Sequence, residues 1–117
     1  MKKLLDEMKL SSGVTLKNRV FVSPMTIQSA FYDGGVTEDM IEYYSHRSGD
    51  AGAVVVESAF VEVNGKGFPG ALGIDKDDKI IGLTKLANAI KEKGSKAFIQ
   101  LYHCLLYTSP SPRDRQK

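Results

Sequence analysis

Three short runs of β-forming apolar residues, 20–22, 53–56 and 97–101, are separated by two stretches with helical spacing, and this alternation constrains the fold most strongly. Strand, helix, strand, helix, strand requires parallel pairing, because each helix carries the chain back to the same end of the sheet through a right-handed crossover. The helix predicted over 77–93 shows its period most clearly. Ile80, Leu83, Leu86, Ala87 and Ile90 form one apolar stripe, with Asp77 and Asp78 in the positive first turn, Lys91 and Lys93 in the last, and Gly94 placed to take a left-handed cap. The other helix starts from Thr37 as a cap, with Glu38 and Asp39 behind it. Met40, Ile41 and Tyr44 form its apolar face, and Gly49 or Gly52 ends it.

The run Val20 to Val22 is wholly apolar, as expected of a strand buried on both faces, and it stops at Ser23-Pro24, where proline removes a backbone donor. Ligands of parallel α/β folds bind at the carboxyl ends of strands, so Ser23 to Thr26 is the first place to look for chemistry. Upstream, Leu4, Leu5 and Met8 are spaced for one face of a helical turn, and two alternating stretches around Ser11-Ser12-Gly13 predict a β-hairpin. Between the second strand and second helix lies a passage with Gly65, Gly67, Gly70 and Gly73, a composition shared by mobile loops over a site and by plain connectors.

Of the 117 residues, 42% are apolar and 26% charged, which is globular and not disordered. The net charge of +2 comes from the end of the chain: Arg113, Arg115 and Lys117 face only Asp114 there, and setting them aside leaves 13 cationic and 13 anionic residues. A neutral body carries no electrostatic signature of a nucleic-acid partner. The single cysteine, Cys104, excludes an internal disulfide framework and fits a reducing cytoplasm. No apolar run approaches the roughly 20 residues of a membrane span, and Asp6 and Glu7 interrupt the N-terminal Leu4-Leu5 before a signal peptide could form. A soluble cytoplasmic protein without membrane or nucleic-acid partners is expected.

Leu16-Lys17-Asn18-Arg19 followed by an apolar strand and Ser23-Pro24-Met25-Thr26 resembles the start of the old yellow enzyme family of FMN-dependent ene-reductases and NADH:flavin oxidoreductases. Residues 54–59, Val-Val-Val-Glu-Ser-Ala, and 94–103, ending in Gln100-Leu101-Tyr102-His103, are similar to that family's second and third strands, in the right order. The resemblance implies an α/β chain, the N-terminal part of a TIM (β/α)8 barrel: about three parallel strands and two helices, with an N-terminal β-hairpin closing the bottom. A complete barrel takes roughly 250 residues, so the expectation is a fragment: residues 1–103 a partial FMN-binding domain and 104–117 a non-native or disordered tail. From Cys104-Leu105-Leu106 the sequence departs from the family's Gly-Arg pattern, and Pro110 and Pro112 leave no helical period.

By the same resemblance, Ser23, Pro24 and Met25 line the flavin, and the Thr26 hydroxyl bonds its O4/N5 edge. Ser58 stands where relatives usually carry alanine or glycine beside the flavin. Gln100 pairs its amide with the flavin pyrimidine ring, and an amide between Ile99 and Leu101 needs a polar partner in any case. On the substrate side stand Gln28, where some relatives place a tyrosine, and His103. The substrate-anchoring histidine pair and proton-donating tyrosine of the family lie on later strands, so no catalytic residue and no metal ligand is expected here.

The implied reaction passes hydride from NADH or NADPH through FMN to an activated alkene or similar small-molecule acceptor, with this chain inactive alone. A tRNA dihydrouridine synthase, also an FMN barrel with a Pro-Met step, or a non-catalytic truncated chain are the alternatives. The sequence is silent on oligomeric state.

Overall fold

The computed structural model describes residues 3–104, and most of the tail expected from 104 onward lies outside them. Strands β1 (Met8–Lys9) and β2 (Thr15–Leu16) pair antiparallel with Met8 opposite Leu16, and Gly13 turns the hairpin at φ +96°. The helical turn expected around Leu4 and Leu5 is reduced to a single turn, closed by the Asp6 amide donating to the Lys3 carbonyl at 3.1 Å. The Leu4 carbonyl accepts instead from the Arg19 amide at 2.9 Å, which removes it from any local helical bond, and both leucines are exposed.

The main sheet is parallel. Strand β3 (Phe21–Val22) pairs with the first residues of β4 (Ala53–Phe60), and a short β5 (Leu72–Gly73) pairs with its last two. Strand β6 (Lys96–Tyr102) runs along β4 from Ala53 to Phe60. A strand has two edges, and β6 occupies one of them. Strands β3 and β5 therefore follow each other along the second. The glycine-rich passage is thus built into the sheet: β5 takes the place that β3 vacates when it ends before Ser23.

Helices α1 (Glu38–His46) and α2 (Ile80–Glu92) cover one face of the sheet. Between them and the sheet lies the core of Met40, Tyr44, Val54, Val56, Ala59, Leu72, Leu86 and Ile90. Thr37 caps α1 as the sequence predicts, accepting the Met40 amide at 3.2 Å while its hydroxyl donates to the Ser29 carbonyl at 2.8 Å. The predicted second helix differs at its start, where Asp77–Lys79 form a separate 3-10 turn, and it ends as expected, with Gly94 at φ +100°.

The expectation of a first strand buried on both faces is overturned. Val22 packs toward the helices, but Phe21 on the opposite face is 45% exposed. Successive strand residues point to opposite sides, and among the described residues only one side is covered.

Candidate functional site

Asn18 positions the start of the site. Its Oδ1 accepts from the Val20 amide at 3.0 Å and the Gly52 amide at 2.7 Å, and its Nδ2 donates to the Asp50 carbonyl at 2.7 Å. One buried amide therefore ties the segment entering β3 to the turn entering β4. A Cβ at Gly52 would lie 2.4 Å from the Asn18 carbonyl oxygen, so only glycine allows the approach.

At the other end of the strands, β4 carries a bulge. Val56 pairs with Ile99 and Ala59 with Leu101, so Glu57 and Ser58 together oppose the single residue Gln100. The extra residue shifts the alternation. Val54, Val56 and Ala59 belong to the helix-facing core, and Glu57 turns to that side too, where Tyr44 Oη donates to its Oε2 at 2.7 Å and accepts its backbone N–H at 3.0 Å. Ser58 turns to the opposite side, and its hydroxyl donates to Gln100 Oε1 at 2.6 Å. Gln100 faces that way because Ala97 and Ile99, its alternates on β6, pack against the core.

Glu57 is wholly buried. Desolvation pushes its carboxyl pKa above the ordinary carboxylate range; the Tyr44 hydroxyl and the Ile27 backbone oppose the shift without cancelling it, and Oε1 lacks a hydrogen-bond partner among the described residues. Burial, reinforced by Glu57, pushes the Tyr44 phenol up as well. The proximity of Ile27 to Glu57 also brings Thr26, the residue before Ile27, to the end of β4 that carries Ser58. Thr26, Ser58 and Gln100 thus share the carboxyl rim of the sheet. Ser23, Met25 and Thr26 are exposed and Pro24 half-buried, all on the segment that leaves β3.

Gln28 and His103 are engaged elsewhere, at the glycine-rich passage. Gln28 adopts φ +54°, and a Cβ on Gly70 would come within 2.6 Å of its carbonyl oxygen. His103 Nε2 is hydrogen-bonded to Glu62 Oε1 at 2.7 Å with its ring against Gly65, and the Cys104 amide donates to the Gly65 carbonyl at 2.8 Å. Tyr102 adds a third tether, its hydroxyl accepting from the Gly67 amide while its ring stacks on Phe68. These contacts make the passage a held cover, whereas composition alone left a mobile loop open.

The bulge, the Asn18 splice and the Tyr44–Glu57 pair all escaped sequence reasoning. Only a carboxylate inside the run Val54–Phe60 signalled the last of them, since a charge there needs a specific partner. A cavity of about 490 Å3 lies apart from the rim, lined by Tyr32, Phe60, Phe68 and the Lys79–Asp75 ion pair. Burial would lower the Lys79 pKa, but the Asp75 carboxylate at 2.9 Å outweighs it and holds the ammonium charged. The described residues hold no cluster of potential metal ligands.

The donor set at the rim suits the edge of a flavin: one amide with its nitrogen free of hydrogen bonds among the described residues, one threonine hydroxyl and a proline-stiffened turn. Comparison with known proteins points the same way. The sequence profile of the NADH:flavin oxidoreductase / NADH oxidase family matches residues 3–116. The NADH:acrylate oxidoreductase of Vibrio harveyi is 64% identical over 110 residues, which is 94% of this chain and 11% of that protein. The NADH:fumarate oxidoreductase of Klebsiella pneumoniae (strain 342) is 48% identical over 101 residues, 86% of this chain and 11% of that protein. The chain therefore spans about a ninth of these relatives. In structure it is similar to the old yellow enzyme homologue from Zymomonas mobilis, with a TM-score of 0.80 and 32% identity over 87% of this chain and 28% of that one.

Proposed function

The chain belongs to the NADH:flavin oxidoreductase / NADH oxidase family, and from that membership we propose that residues 1–103 are the N-terminal part of an FMN-binding barrel. The whole enzyme would pass hydride from NADH or NADPH to an activated alkene. The observation that carries this reading is the Ser58–Gln100 pair that the bulge in β4 sets on the face away from the helices, with Thr26 on the segment leaving β3 toward the same end. The two relatives named above are called acrylate and fumarate oxidoreductases. Both of those acids conjugate a double bond to a carboxylate, which makes that group the acceptor class favoured here.

Bound FMN would supply the two-electron chemistry, accepting hydride and releasing it again. The chain's own residues bind and orient. Gln100 donates its amide N–H groups to the pyrimidine carbonyl edge, Thr26 donates its hydroxyl on the O4/N5 side, and Ser23, Pro24 and Met25 pack along the ring. Gln28 and His103 border the substrate side through the cover that they hold. The lone Cys104 favours a cytoplasmic location. No helix among the described residues is long and apolar enough to cross a membrane. In barrels of this kind the phosphate is gripped by loops of the seventh and eighth strands, so the isolated chain is expected to bind FMN weakly and to reduce nothing.

The test is expression of the longest reading frame containing this chain. Stoichiometric flavin absorbance in the purified protein, lowered in Gln100→Ala, supports the reading. A flavin-free protein, or unchanged FMN affinity in Gln100→Ala, overturns it.

A further inference from the structure

We propose that Ser58 is a positioning residue for Gln100: its hydroxyl clamps the glutamine amide in one orientation, which fixes where the rim presents the Nε2 donors. A glutamine amide turns about its last torsion with little preference, and an unrestrained Gln100 would offer its oxygen or its nitrogen to a ligand equally. Ser58 favours one of the two, because its separation from the amide fits an O–H···O bond and is short for an N–H donating back to the hydroxyl. Its Oγ donates to Oε1 at 2.6 Å, near the short end of the range for hydroxyl donors. One lone pair of the acceptor is thereby engaged, and both Nε2 hydrogens are left without a partner among the described residues.

The clamp depends on the bulge. In regular alternation after Val54 and Val56, residue 58 would face the helices. With Glu57 drawn onto Tyr44 the parity changes, and Ser58 comes over Gln100. The alanine or glycine usual at this position in the resembled family has no hydroxyl to do this. Donation into the amide oxygen also polarises the amide and strengthens its N–H donors. The ligand edge favoured is therefore a carbonyl oxygen that gains negative charge during the reaction.

On the reading of the rim as a flavin cradle, that oxygen is a pyrimidine carbonyl, and Ser58 favours the reduced state of the ring. The clamp itself belongs to the chain alone, so the two readings fail separately.

The Gln100 side-chain amide is followed by 15N-resolved NMR in the 117-residue chain and in Ser58→Ala, Ser58→Thr and Ser58→Val. Threonine keeps the hydroxyl and valine matches its bulk without it. The clamp predicts a rigid Gln100 carboxamide, read as slow-tumbling 15N relaxation of its Nε2 group, in the parent and Ser58→Thr, and a mobile one in Ser58→Ala and Ser58→Val while backbone signals stay dispersed. The same Gln100 relaxation in Ser58→Thr and Ser58→Val overturns it, even if Ser58→Ala fails to fold.

In the longer FMN-bound protein, Ser58→Val is expected to weaken FMN binding roughly fivefold relative to Ser58→Thr and to shift the flavin potential in the negative direction. A clamp present by NMR beside a protein that binds no FMN refutes the cradle and keeps the clamp. Bound FMN with potentials equal in Ser58→Thr and Ser58→Val refutes the clamp's role and keeps the cradle.

Discussion

Glu57 is a carboxyl group with no solvent access and one hydrogen-bonded oxygen, and its effect on stability follows from the direction of its shift. Burial raises its folded pKa above the ordinary 4.5, so between those two values the folded state holds a proton that the unfolded state releases. The stabilisation is complete below about 4.5 and is lost as pH rises through the folded pKa. Glu57→Gln keeps the shape and an acceptor for the Tyr44 hydroxyl but has no proton to lose. Urea midpoints measured from pH 4 to 8 are therefore expected to decline more steeply for the parent chain than for Glu57→Gln; parallel profiles would contradict the assignment. Tyr44→Phe leaves both the carboxylate oxygen and the Glu57 amide unpaired, and is expected to cost about 1–3 kcal/mol.

At the level of elements, the helices were the legible part, because their signals are local. The Thr37 cap, the acidic first turn of α1 and the Gly94 stop of α2 are read from neighbours within four residues. Thr37→Ala is expected to lower stability by about 1 kcal/mol, seen as a shift of the thermal midpoint. What the sequence concealed depends on residues far apart along the chain. Strand β4 continues past Val56 through Glu57-Ser58, a polar pair that reads as a strand end, because Tyr44 and Gln100 take those two side chains on opposite faces. Asn18 likewise has no local sign of its partners, Gly52 and Asp50, which lie more than thirty residues on. Gly52→Ala sets a methyl against the Asn18 carbonyl and is expected to cost about 1–3 kcal/mol; stability unchanged by it would show that the splice has slack. Gln100 and Thr26 are candidates for a site only through the family resemblance, since nothing within a few residues of either distinguishes a ligand contact from a turn.

Across the whole molecule, the helices shield only one face of the sheet. The rim side exposes Phe21 and Met25, and β6, whose one strand partner among the described residues is β4, exposes Leu101 at 60%. A second apolar hollow, formed by Val56, Ile74, Leu83, Leu86, Ala87, Ala97, Phe98 and Ile99, lies between α2 and the sheet. One layer of helices on one face buries a core of eight residues, and a domain of this size has little stability in reserve when its second face is wet. The isolated chain is accordingly expected to bind the dye ANS in native buffer and to melt over a broad range. An unpaired parallel edge with an exposed leucine is also a template for another chain. Leu101→Lys places a charge on that edge without touching the Ser58–Gln100 pair. It is expected to reduce light scattering at high protein concentration while leaving stability within about 0.5 kcal/mol of the parent's. Equal scattering by the two chains would place self-association on the Phe21 face instead, and Phe21→Ser would then be the variant that relieves it.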